Sequence, residues 1–92
     1  MKNLLKNELY SYVVELFDCR CALNPSHVIS PNTTPHHILP RGAGGKDVLE
    51  NLIPLCPECH GKIHREGTRK WRAELVTHLR SQLQRKGVLD LV

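Results

Sequence analysis

His36–His64, HHILPRGAGGKDVLENLIPLCPECHGKIH, is the stretch on which the reading of this chain turns. It holds four histidines and a C-x-x-C pair within 29 residues. HHILP reads as a short extended segment that Pro40 ends, and RGAGGKD as a glycine-rich turn. NLIPL, residues 51–55, reads as a second short strand, with Pro54 confining it to an edge or an end. Pro57 suits the first turn of a helix that stops at Gly67. Gly61 weakens that helix by about 1 kcal/mol relative to Ala, so something else must hold it. On it, His60 and His64 lie four apart and project from one face one turn apart, a geometry that suits two ligands on one ion. His36 and His37 are adjacent in an extended segment and point to opposite faces. They cannot easily share one ion, but one can bind it while the other stays off the metal as a base.

Working outward, Cys56 and Cys59 find two more thiols at Cys19 and Cys21. Four thiolates close a tetrahedral structural zinc site, and such a site contributes on the order of 10 kcal/mol to folding. The first pair is C-x-C, tighter than the usual spacing. Either the knuckle is distorted, or one of these cysteines is free and His27 takes its place. The Pro-rich stretch 18–35 reads as a metal knuckle followed by an ordered loop. Residues 3–17 predict a helix with Leu5, Leu9, Tyr12, Val13 and Leu16 on its apolar face and Asn3 as its N-cap. Residues 68–86 predict the strongest helix, capped by Thr68, with Trp71, Leu75, Leu79 and Leu83 every four residues and Gly87 as the stop. Trp71 reads as core rather than as a platform for stacked bases. The tail VLDLV is apolar; it docks on the body, meets a second copy or frays. The expected organisation is a single domain over 1–92: N-terminal helix 1–18, metal-bearing centre 19–66, basic helix and tail 67–92.

Composition supports the need for metal. The chain has 92 residues, 4% of them aromatic. A chain this short buries only about 60% of its unfolded surface. No apolar run is long enough to span a membrane, and the first residues lack the apolar core of a signal peptide. The expectation is therefore a cytoplasmic protein (the host cytoplasm if phage-encoded), where thiols bind metal rather than pair as disulfides. Net charge is +4, and it is uneven. Residues 1–59 carry five basic and six acidic side chains, residues 60–92 eight and three. A basic C-terminal third suggests a polyanionic partner, with Lys62, Arg65, Arg69, Lys70 and Arg72 as candidate phosphate contacts.

The order His37, Asn51, His60 within HHI-x-P…GG…NL-x-x-LC-x-x-CH…H resembles the HNH endonucleases of the ββα-metal group. The likeness covers about residues 19–64, and the small size resembles stand-alone HNH proteins encoded by phages. It implies an α+β fold: a small ββα-metal core with flanking N- and C-terminal helices, stapled by a structural zinc. It implies His37 as the general base, and His36, His60 and His64 as ligands of a catalytic divalent ion. Many family members have Asp at the position of His36, so this nitrogen-rich site would accept Ni²⁺, Mn²⁺ or Zn²⁺ alongside Mg²⁺. Asn51 would hydrogen-bond backbone across the loop and hold His37 in register. Arg41, directly after the first strand, would contact a phosphate.

The function implied is hydrolysis of DNA phosphodiester bonds, by nicking or double-strand cleavage, to a 5′-phosphate and a 3′-hydroxyl. Weak sequence preference and strong salt dependence are expected, from a monomer or a homodimer. The alternatives are a non-catalytic zinc-stabilised DNA-binding module, and a nuclease subunit active only with phage packaging proteins. The module needs the cysteines and the basic helix but none of the four histidines.

Overall fold

The computed structural model describes residues 6–88. Asn3 and residues 89–92 of the tail lie outside the described residues, and with them the expected N-cap and most of the apolar terminus. The fold is α+β, with helix α1 (Lys6–Leu16), strands β1 (His36–His37) and β2 (Leu52–Ile53), and helices α2 (Pro57–Glu66) and α3 (Thr68–Arg85). Single turns of 3₁₀ helix at Arg41–Ala43 and Leu49–Asn51 fill the link between the strands.

The strands are shorter than the extended segments predicted for them, because Pro40 and Pro54 end pairing early. They run antiparallel, with His36 opposite Ile53 and His37 opposite Leu52. Leu52 and Ile53 are both fully buried. His36 is buried and His37 only partly so, the alternation that a pleated strand imposes.

Two helices cover this small sheet. α3 lays down Leu75, Leu79 and Leu83, the predicted stripe, all buried. Trp71, at its start, is half-buried and packs against the core. Gly87, at φ 72°, closes the helix as expected, with Val88 N–H donating to the Leu83 carbonyl at 2.9 Å. At the other end the N-cap is Gly67, and no side chain caps the helix. Thr68 is already the first helical residue, one position too late to cap.

α1 packs against β2, and it does so through Val13, Val14 and Leu16. Tyr12, expected inside, is 36% exposed. The buried arc is rotated towards Val14 and Phe17, because periodicity marks an apolar stripe without saying which flank the neighbours cover. The end of α1 is tied to the end of α3, where the Gln82 amide donates to the Leu16 carbonyl at 2.7 Å and Lys86 pairs with Asp18 at 2.8 Å. Among the described residues, no helix is long and apolar enough to cross a membrane.

Candidate metal and acid–base site

β1 delivers His36 to the face covered by α2. There His36, His60 and His64 each offer a ring nitrogen, all within 4.8 Å of one another. The rings stand edge to face, His36 at 5.2 Å from His60 and 5.7 Å from His64. His36 Nε2 is buried and has no hydrogen-bond partner. Burial, followed by the nearby His60 and His64, lowers the His36 pKa to about 4. Burial, then His64, lowers that of His60. A lone pair held neutral, desolvated and unpartnered is what a cation needs. The Nε2 atoms of His60 and His64 are 3.0 Å apart. Two nitrogens each about 2.0–2.1 Å from one ion lie about 2.9–3.4 Å apart at octahedral or tetrahedral angles. The donor set therefore fits one divalent ion.

His37 faces the other way, with 16% of its side chain exposed. Its Nε2 lies 2.7 Å from Asp47 Oδ1. A carboxylate only accepts, so the proton sits on Nε2 and the lone pair on Nδ1. The longer 3.4 Å approach of Arg41 Nε to the same nitrogen is then a proximity rather than a donation. Asp47 is the hub of this cluster. Tyr10 Oη donates to it at 2.8 Å, and Arg41 Nη2 reaches both of its oxygens, at 3.0 and 2.9 Å. Arg41 Nη2 also donates to Tyr10 Oη at 2.9 Å. The Tyr10 hydroxyl, His37 and Arg41 together hold the Asp47 carboxyl well below the usual carboxylate range. Burial and the Asp47 contact push the Tyr10 phenol up.

Neither Asp47 nor Tyr10 stood out in the sequence. Asp47 reaches His37 because the chain doubles back just before it. Gly44 adopts φ 91°, and a Cβ on Gly45 would lie 1.7 Å from the Leu39 carbonyl oxygen. Only glycine fits so close to backbone. Tyr10 comes from α1, far away along the chain. The double glycine was the available signal for the turn; nothing local marked its Asp or the distant Tyr.

Asn51 bridges the same loop. Its Oδ1 accepts from Leu39 N–H at 2.8 Å, and its Nδ2 donates to the Leu39 and Lys46 carbonyls at 3.0 and 3.1 Å. With Ile38 N–H donating to the Asn51 carbonyl at 2.9 Å, it pins the chain immediately after the two histidines.

The cysteines are only partly gathered. Cys21, Cys56 and Cys59 offer sulfurs within 4.8 Å of one another, and both Cys19 and His27 stand outside that group. Burial opposes ionisation of Cys21, but backbone N–H groups of Cys56, Asn24 and Leu23 outweigh it and lower the pKa. Burial and the neighbouring Cys56 and Cys21 push Cys59 up to about 12. Three crowded sulfurs that cannot all ionise alone form a donor set that a soft cation satisfies. Cys56 also caps α2, its sulfur accepting from Cys59 N–H at 3.5 Å.

The basic residues are spread rather than assembled. Arg41 is at the acid–base cluster. Lys62 is two positions from His60, hence about 200° round the helix, and its ammonium lies 5.3 Å from the centre of the Trp71 ring. Lys62 and Arg65 share a hollow with Glu58 and Cys59. Arg69 and Lys70 are exposed on α3, where Lys70 pairs with Glu66 at 3.4 Å. Arg72 is partly buried, its Nε without a partner.

The sequence model of a family described as HNH endonuclease matches residues 19–66. The type IV methyl-directed restriction enzyme EcoKMcrA of Escherichia coli (strain K12) is 40% identical over 35 residues, 38% of this chain and 13% of that protein. Anaredoxin of Nostoc sp. (strain PCC 7120 / SAG 25.82 / UTEX 2576) is 35% identical over 37 residues, 40% of this chain and 49% of that protein. The match thus spans less than half the length of either relative. No solved structure matches the chain.

Proposed function

Because the chain belongs to the HNH endonuclease family, we propose that it is a metal-dependent DNA endonuclease that uses one divalent ion and His37 as general base. The observation that carries the reading is the pairing of two chemistries across one peptide bond. His36 joins His60 and His64 in a group fit for a cation, and the next residue is an imidazole held by a carboxylate.

A divalent ion on the three histidines would offset the charge that builds on the phosphate and on the leaving oxygen. His37 takes a proton from the attacking water at Nδ1, the nitrogen that Asp47 leaves unprotonated. The positive charge that develops on the ring then faces the Asp47 carboxylate, as in other carboxylate–imidazole pairs. Arg41 serves as a phosphate contact once DNA competes with Asp47 for its guanidinium. Asn51 does no chemistry and positions the strand that carries both histidines. Arg65, Arg69, Lys70 and Arg72 add charge that grips the backbone without reading bases, while Lys62 lies on the side of α2 away from the histidines.

Plasmid nicking tests this. The purified chain with added Mg²⁺, Mn²⁺, Ni²⁺ or Zn²⁺ should convert supercoiled to open circular DNA, and EDTA should stop it. His37→Ala should lose cleavage by about 10²–10⁴-fold while still binding DNA. Full cleavage by that variant would remove the base assignment. Binding without cleavage under every metal would leave a zinc-stabilised DNA-binding module.

A further inference from the structure

The three gathered sulfurs leave a tetrahedral zinc site one ligand short. Two side chains were candidates for the fourth place, and the backbone separates them. Asp18 and Cys19 both adopt left-handed conformations, with φ of 56° and 54°. This pair turns the chain sharply after α1, and Cys19 packs against the apolar core. From Arg20 onward the chain pairs with a returning segment. Arg20 bridges Val28, Cys21 N–H donates to the His27 carbonyl at 3.0 Å, and Ile29 N–H donates to the Cys19 carbonyl at 2.9 Å. This antiparallel register sets His27 directly opposite Cys21, and opposed residues share a face.

His27 Nδ1 lies 3.5 Å from Cys56 Sγ. Zinc binds sulfur at about 2.3 Å and imidazole nitrogen at about 2.0–2.1 Å, so at a tetrahedral angle the two donors lie about 3.6 Å apart. The observed spacing is that of a hydrogen bond and also that of two ligands on one zinc. His27, like Cys19, stands outside the group of three sulfurs, so its ring must move towards Cys21 and Cys59 for the site to close. We propose that the structural zinc is held by Cys21, Cys56, Cys59 and His27 Nδ1, and that Cys19 is a packing thiol that does not bind it. The ligands then carry three negative charges rather than four. The site rests on its own donor geometry and holds whether or not the chain cleaves DNA.

Cobalt(II) substituted into the 92-residue chain tests the proposal without any activity measurement. Charge-transfer absorption from sulfur to cobalt reports only the thiolate-bound ion, so an ion on the three histidines does not contribute. Cys19→Ser should leave that absorption and the tetrahedral visible bands unchanged. Cys21→Ser should remove about a third of the sulfur absorption, as one of three thiolates. His27→Ala should shift and weaken the visible bands as water takes the fourth place, and His27→Cys should raise the sulfur absorption by about a third above wild type. If His27→Ala fails to fold, the zinc-loaded His60→Ala/His64→Ala protein, which lacks the other imidazole group, decides alone: X-ray absorption at its zinc should require a nitrogen neighbour at about 2.0–2.1 Å beside sulfurs at about 2.3 Å, and a shell of sulfur alone would overturn the proposal. A loss of sulfur absorption in Cys19→Ser, or unchanged spectra in His27→Ala, would overturn the proposal.

Discussion

Replacing Asn51 by Ala should be among the most damaging single changes outside the metal ligands. The side chain makes three hydrogen bonds, one from Leu39 N–H and two to the Leu39 and Lys46 carbonyls. At about 0.5–1.5 kcal/mol for each, their loss costs roughly 2–4 kcal/mol. In a domain of this size that lowers Tm by on the order of 10–20 °C. Asn51→Asp sharpens the test. Its carboxylate still accepts from Leu39 N–H but faces two carbonyl oxygens where the amide donated. Near pH 7 it should therefore be less stable than the Ala variant. The same repulsion raises its folded-state pKa above the unfolded value. The penalty is then full above the folded pKa and shrinks as pH falls through it, because a protonated carboxyl can donate to one carbonyl. Urea unfolding of wild type, Ala and Asp variants between pH 4 and 7, with nicking assayed alongside, makes the comparison. An Ala variant within about 0.5 kcal/mol of wild type, or an Asp variant more stable than it, would refute the bridging role.

Asp47→Asn keeps the shape but reverses the logic at His37: an amide can donate to Nε2 and hold the wrong tautomer, so nicking should fall by about 10²–10⁴-fold with DNA binding retained. His36 supplies a pH signature in protein without added divalent ions. Its folded pKa of about 4 lies below the ordinary His value of about 6.5, so the unfolded chain binds the proton first and stability falls as pH drops from about 6.5 to 4, by about 3 kcal/mol in all. His36→Phe cannot take a proton, and the difference between the two urea-midpoint profiles should show that slope; parallel profiles would contradict the buried neutral imidazole. DNA affinity measured by fluorescence anisotropy should fall steeply with added salt, and Arg41→Ala should weaken it more than Lys62→Ala, since Lys62 faces away from the histidines.

Regular spacing made much of this molecule legible. His60 and His64, four apart, share one face of α2 as the helical period requires, the family likeness alone implied that His36 rather than His37 joins them, and Leu75, Leu79 and Leu83 are the core face of α3. The family likeness carried the α+β architecture and the Asn51 bridge. What escaped depends on where the chain turns back. Asp47 meets His37 because Gly44 and Gly45 allow a tight reversal, and Tyr10 arrives from a helix remote in sequence. The turn that parts Cys19 from the other three thiols depends on two left-handed residues, Asp18 and Cys19, whose types do not announce them. Tyr12 and Val14 exchanged places because an amphipathic pattern does not specify which neighbour covers which flank.

Tandem histidines on a strand that pairs over only two residues carry a built-in ambiguity. Shifting a strand by one position swaps which side chain points to which face, and here the swap would place one imidazole where another had been, so side-chain chemistry alone distinguishes the two alignments poorly. Discrimination falls to the flanks, where Ile38 is buried and Leu39 is fastened at both its amide and its carbonyl. A protein of this design would thus tell its two identical rings apart by the apolar company they keep rather than by what they are.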